Sequence, residues 1–181
     1  MRKLILRMTL TLDGVAAPEA KDVFDFSDDG VWRDHFQLLE GVDGVLLGAG
    51  MHREYFSHWH GALTDPNEQR YAEYVKRTPH FVLSRTQKGV EWPNASVLPG
   101  GVDGIAALKQ QPGGALVMWG GPTAAAAAIE AGAVDEYHLV THPVIAGRGT
   151  KLFEVAQVRR LKHLDTSTLP SGIVILKYAA A

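Results

Sequence analysis

Four short stretches of this chain carry backbone or side chains suited to a charged ligand. In the first, Gly120-Gly121-Pro122-Thr123-Ala124 follows the apolar run Ala115 to Trp119 and precedes an alanine-rich segment that closes at Gly132. Two glycines let a backbone approach a ligand closely, Pro122 sets a φ suited to a first helical turn, and Thr123 offers a hydroxyl. A helix that starts here points free N–H groups and a positive dipole end beyond the strand, which suits a phosphate. The second stretch, Ser84-Arg85-Thr86, sets a guanidinium between two hydroxyls, and arginine can grip a phosphate bidentately. The third, Gly48-Ala49-Gly50-Met51, is another glycine turn after an apolar run. The fourth, Asp13-Gly14, leaves a carboxylate at the end of an alternating stretch. Spacing alone leaves each a plain alternative: a tight strand-to-helix connection at Gly120-Gly121, a solvated loop at Arg85, a turn cap at Asp13.

The segment Met51 to His60 holds His52, His58 and His60 with Glu54. In a helix His58 and His60 diverge, and no pair has the i, i+4 spacing of a helical zinc site. These histidines read as helix-end and loop residues beside packed Tyr55, Phe56 and Trp59, and no metal is expected.

The elements that must position these stretches follow from periodicity. Leu4, Leu6, Met8, Leu10 and Leu12 alternate with Lys3, Ile5, Arg7, Thr9 and Thr11, the period of a strand. Residues 16–27 lose the pattern and read as a loop carrying Phe24 and Phe26. Ser27-Asp28-Asp29 then supplies a cap and early acidic charge for a helix from Val31 to Glu40, with Trp32, Phe36 and Leu39 on a core face. Further strands are predicted over 42–47, 80–83, 96–98, 115–119 and 136–144. Helices are predicted over 67–76, 104–111 and 124–129, and Ile145 to Thr150 reads as a glycine-rich loop. Arg160 to Thr168 and Ile173 to Tyr178, joined by Leu169-Pro170-Ser171-Gly172, form a terminal hairpin. This order predicts one α/β domain over 1–181, a three-layer sandwich with a mixed, mostly parallel central sheet and a C-terminal antiparallel hairpin. Gly48, Ser84 and Gly120 then fall at carboxyl ends of strands, the edge where open α/β sheets bind ligands.

Composition sets the outer bounds. With 181 residues, 46% hydrophobic and 21% charged, the chain has the balance of a globular protein. A net charge of −2 and the lack of a basic run give no footprint for nucleic acid or an anionic membrane surface. No stretch is apolar and long enough to span a bilayer, and Arg7, Thr9, Thr11 and Asp13 interrupt the apolar core that a signal peptide would need. The absence of cysteine excludes disulfides and cysteine nucleophiles and fits a cytoplasmic protein.

The sequence resembles the dihydrofolate reductase-like family, in the branch of the reductase domain that forms the C-terminal part of the riboflavin-biosynthesis deaminase-reductase. The matching residues are Thr11-Leu12-Asp13-Gly14, Leu46-Leu47-Gly48 and Leu83-Ser84-Arg85-Thr86. More specific is the stretch from Gly120-Gly121 through Ala131-Gly132-Ala133-Val134-Asp135-Glu136 to Pro143-Val144-Ile145-Ala146-Gly147-Arg148-Gly149 and Leu152-Phe153. The resemblance implies a reductase that takes hydride from NADPH, of the 5-amino-6-(5-phosphoribosylamino)uracil reductase or dihydrofolate reductase type. Its acceptor would be a small heterocycle or carbonyl compound. The pyrophosphate would sit by Gly120, Gly121, Thr123 and Ala124. Gly48, Gly50 and Met51 with Ser84, Arg85 and Thr86 would hold the adenosine side. Asp13 is the candidate to orient the substrate or relay a proton. The resemblance and the apolar run Ile173 to Leu176 also imply a homodimer.

The chain departs from this family at one informative place. Many relatives have Gly-Arg-x-Thr where this chain has Gly48-Ala49-Gly50-Met51, and a lost guanidinium removes charged hydrogen bonds worth about 1.5–3 kcal/mol each. Thr11 also stands where Ser is usual. A non-catalytic nucleotide- or small-ligand-binding protein on the same scaffold is the alternative that this departure keeps open. A histidine-based metallohydrolase is a third class, and it would require bound metal.

Overall fold

A computed structural model describes residues 1–24, 28–154 and 156–181. Phe26 and Ser27, read above as a loop residue and a helix cap, lie outside the described residues. Strand β1 (Leu4–Thr11) runs through the middle of an eight-stranded sheet. Beside it lie β3 (Val42–Gly48), β4 (His80–Leu83), β5 (Ala95–Leu98), β6 (Ala115–Met118) and β7 (Glu136–His142), all paired in parallel. The terminal hairpin, β9 (Leu161–Thr168) and β10 (Val174–Ala180), completes the sheet, β10 pairing antiparallel to β7. The spatial order is β5-β4-β3-β6-β1-β7-β10-β9.

Alternation in β1 divides the two faces. Leu4, Leu6, Met8 and Leu10 pack with Ile105 and Leu108 of helix α4 (Ile105–Gln110) and with Ala125, Ala128 and Ile129 of α5 (Pro122–Glu130). The opposite face of the sheet, through Val45, Leu47 and Val117, packs with Leu39 of α1 (Asp29–Leu39), Tyr55 and Phe56 of α2 (His52–Trp59), and Tyr71, Tyr74 and Val75 of α3 (Pro66–Arg77). Because both faces are covered, seven of the eight β1 residues are buried, as a central parallel strand requires. The result is a three-layer α/β fold. No described helix is long and apolar enough to cross a membrane.

Two segments expected to be loops pair instead. Val15–Pro18 forms β2 and Gly149–Lys151 forms β8, a small antiparallel sheet beside the large one. These strands are too short to show a period of their own, and their pairing is tertiary. Gly149 makes it possible: with φ +131, it lies where an added Cβ would come within 2.3 Å of the Ala17 carbonyl oxygen. The helix expected over 104–111 likewise opens as a 3-10 turn, Gly101–Gly104, before α4.

A buried ion cluster ties α1 to the sheet. Arg7 and Asp34 form an ion pair, and Lys177 of β10 reaches the same carboxylate at 2.6 Å. Burial alone would raise the Asp34 carboxyl, but the guanidinium and ammonium outweigh it and hold it below the ordinary carboxylate value.

Candidate functional site

The carboxyl ends of β3 to β6 and the first turns of α2 and α5 enclose a groove of about 860 Å³. Gly48, Gly50, Met51, Ser84, Arg85, Gly121, Thr123 and Ala124, all singled out by spacing, line it. Gly120 and Thr86 do not. Gly120 is buried behind the groove, where its carbonyl accepts the Gly48 N–H at 2.7 Å. Thr86 donates its N–H to Ser84 Oγ, so Ser84 closes the turn after β4. Spacing did not single out Gly100, Gly101, Val102 and Asp103 after β5, nor Ala127, Glu130 and Ala131 along α5, which also line the groove. The pair Gly100-Gly101 at the end of β5 was the available signal, a fourth glycine turn at a strand end.

Local packing explains why the groove has this form. A Cβ on Gly48 would lie 3.0 Å from the Ala124 Cβ and 3.1 Å from the Gly121 nitrogen, so a glycine lets the end of β3 seat this closely against the first turn of α5. At Gly121 an added Cβ would meet nothing within 4 Å, because that position faces open groove. The Gly120–Gly121 peptide is cis.

Helix ends give the groove its electrostatic character. Asp28 and Asp65 cap α1 and α3 by accepting first-turn N–H groups. By contrast α2 and α5 begin at Met51 and Gly121 with no side-chain cap, and both of these residues line the groove. Two helix N-termini with free N–H groups at one groove suit an anion with more than one phosphate. Arg85 is the cation among the described lining residues, its stem lying 3.5 Å from the Cβ position of Gly101, and Asp103 and Glu130 are the acids.

A second cavity of about 560 Å³ adjoins on the α1 and α2 side, and Met51 lines both. Its walls are aromatic: Trp32, His35, Tyr55, Trp59, Tyr71 and Trp119. His35 stacks on Trp119 with ring centres 4.8 Å apart and meets Tyr71 edge-on at 4.6 Å; Trp59 meets Tyr71 edge-on at 4.6 Å. The Tyr55 and Tyr71 hydroxyls lie 2.6 Å apart, which fixes both rings. Burial, with the nearby Arg7 charge, lowers the His35 imidazole to about 3, so the ring is neutral at physiological pH. Trp32 packs against the core as its spacing predicts and also forms part of the cavity wall.

Asp13 lines neither cavity. Its carboxylate accepts from the Thr11 hydroxyl at 2.6 Å, the Gly147 N–H at 2.8 Å and the Ala146 N–H at 3.1 Å. Those bonds hold it at about 2, hence ionised, and it braces the end of β1 against the loop before β8. The histidines of α2 and its C-cap are separately engaged: His52 Nδ1 donates to the Ala49 carbonyl, His60 Nδ1 to the Phe56 carbonyl, and His58 lies 3.7 Å from Glu68. Among the described residues no group of three or more His, Cys, Asp or Glu is placed to hold a metal ion.

Comparison with known proteins agrees with this fold. The profile described as RibD C-terminal domain matches residues 2–175. The uncharacterized protein YyaP of Bacillus subtilis is 30% identical over 182 residues, covering 98% of this chain and 94% of that one. A putative riboflavin biosynthesis protein from Shewanella superposes with a TM-score of 0.74 at 18% identity, over 99% of both chains. Dihydrofolate reductase from Enterococcus faecalis, solved with NADP(H), superposes with a TM-score of 0.65 at 16% identity, over 98% of this chain and 96% of that one.

Proposed function

This chain belongs to the RibD C-terminal domain family, and from that premise we propose that it is an NADPH-dependent reductase of a small ring or carbonyl compound. The observation that carries the reading is the meeting of a phosphate-suited groove and an aromatic cavity at Met51, along the carboxyl edge of the parallel strands. The pyrophosphate would lie on the free N–H groups at the start of α5, those of Gly121, Thr123 and Ala124, near the uncapped start of α2, with the adenosine end by Ser84, Arg85 and Gly101. The cofactor, when bound, supplies the hydride. The protein's share would be orientation: Met51, where groove and cavity join, would face the nicotinamide end, and the aromatic walls would hold an acceptor flat and exclude water. Asp13 serves as a positioning residue for the loop before β8, since an ionised carboxylate with its lone pairs engaged is a poor proton source. With the Asp13 carboxylate ionised and engaged, the proton would come from solvent. Saturable NADPH binding followed by acceptor-dependent loss of NADPH absorbance supports the reading; binding without oxidation across a broad panel of acceptors favours a ligand-binding protein on the same scaffold.

Cofactor choice rests on Arg85. The 2′-phosphate needs a cation in reach, Ala49 supplies none, and Asp103 and Glu130 oppose it. Arg85→Ala is expected to lose about 1.5–3 kcal/mol of NADPH affinity while NADH binding barely changes. Titration of both cofactors into both proteins checks this, and equal weakening of the two cofactors would move Arg85 away from the 2′-phosphate.

The chain is also proposed to work as a homodimer. Edge strand β9 exposes Leu161 and Leu164, and Val158 beside it is 94% exposed, an apolar margin that a second copy would cover. Light scattering at micromolar concentration should give twice the 19.7 kDa chain mass, and a monomeric mass would refute the dimer.

A further inference from the structure

Resting on the reductase reading, we propose that the aromatic cavity takes an uncharged, flat ring compound that carries no phosphate. Its walls are built for ring faces. Three of the chain's four tryptophans, Trp32, Trp59 and Trp119, line it together with Tyr71 and His35. Such surfaces bind planar π systems by offset and edge contacts. A polar handle is also present. The Nε2 of His35 is shielded from solvent and has no hydrogen-bond partner among the described residues. A neutral imidazole nitrogen can donate or accept one bond, which suits a carbonyl or ring nitrogen of a heterocycle, and it brings no positive charge to a phosphate dianion.

Within the small heterocycles or carbonyl compounds that the resemblance implies, the charges decide against a phosphorylated one. Arg7 is the lysine or arginine among the described lining residues, and Asp34 neutralises it; the same carboxylate is held by Lys177. The four residues outside the description, Asp25, Phe26, Ser27 and Val155, include no cationic side chain. Glu68 lines the cavity as well, with its carboxylate 3.7 Å from His58 Nε2. A phosphate entering here would give up water for a site with no uncommitted lysine or arginine and would meet a carboxylate.

Calorimetric titration of the whole protein, without cofactor, tests this. Lumazine and lumichrome serve as bare rings; riboflavin with FMN, and uridine with UMP, are pairs that differ only in the phosphate. At least one uncharged compound should bind saturably, and its phosphorylated counterpart, where there is one, should bind about tenfold or more weakly. Glu68→Arg should recover binding of the phosphorylated member by about tenfold, because it sets an uncommitted cation in the cavity wall. Trp59→Ala should weaken the bare rings. The proposal is overturned if no uncharged ring binds, or if FMN or UMP binds as tightly as its partner to the unaltered protein. NADPH oxidation, read separately, keeps the two ideas apart: a ring that binds without being reduced counts against the reductase, and rapid reduction of FMN or UMP counts against the substrate class alone.

Discussion

Gly121→Val should abolish cofactor binding and leave the fold standing. A side chain at position 121 would touch no protein atom within 4 Å at its Cβ, and it would project into the groove at the free end of α5. It thereby displaces the pyrophosphate from at least two backbone donors. At about 1.5–3 kcal/mol for each charged hydrogen bond, the affinity falls by more than about 100-fold. The neighbouring glycine behaves in the opposite way. Gly120 has φ +101, and a Cβ there would sit 2.8 Å from the Met8 sulfur, so Gly120→Val strains and overfills the core. Thermal melts beside cofactor titrations separate the two variants: position 121 changes affinity with little change in Tm, and position 120 lowers Tm. Undiminished affinity in a folded Gly121→Val protein would make this turn a mere connection.

Asp34→Ala should be among the most destabilising single changes in the chain, costing about 3–5 kcal/mol. The cost comes less from a lost attraction than from the charges left behind. Arg7 is only 5% exposed and has no other carboxylate partner among the described residues, while Lys177, 19% exposed, would keep only the more distant Asp165 at 3.7 Å. For a chain of this size each kcal/mol shifts Tm by roughly 2–4 °C, so a fall of about 10 °C is expected. The double variant Arg7→Met, Asp34→Leu should recover much of it, since an apolar pair strands no charge. The sign of the pH dependence follows from the lowered Asp34 carboxyl. Its contribution is fully present above about pH 4, the unfolded value, and is lost as pH falls through the lower folded one. A loss under about 1 kcal/mol for Asp34→Ala at neutral pH would mean that Arg7 is solvated, and that it remains a cation available to the aromatic cavity.

Much of this architecture could be read from the chain because the parallel strands are buried on both faces and end abruptly. Runs such as Val45-Leu46-Leu47 and Leu116-Val117-Met118 have no polar interruption, and each gives way to glycine or a hydroxyl where the groove begins. Gly48, Gly50, Gly121 and Arg85 were therefore visible, whereas Gly100 and Gly101 after β5 were not. The short β2 and β8 were not, since three or four residues that pair across more than a hundred positions show no local period. The aromatic cavity escaped for a different reason. Trp32 and His35 in α1, and Tyr55 and Trp59 in α2, recur at helical spacing, and a helix face that walls a cavity has the same periodicity as one that fills a core. Asp13 was found as a strand-end carboxylate, but the three donors that occupy it come from Thr11 and from a loop more than a hundred residues away.

The central claim, that the groove delivers a nicotinamide to the aromatic cavity at Met51, is tested most directly by energy transfer. Trp119 and Trp59 line the cavity that Met51 joins to the groove, so NADPH bound as described brings its reduced ring close to both indoles. Titrating NADPH should quench tryptophan emission and sensitise cofactor emission in parallel, with one saturating site, and Trp119→Phe should diminish the transfer. If the folded protein shows no saturable transfer at NADPH concentrations up to about 1 mM, a level that detects any interaction stronger than about −4 kcal/mol, the account is contradicted.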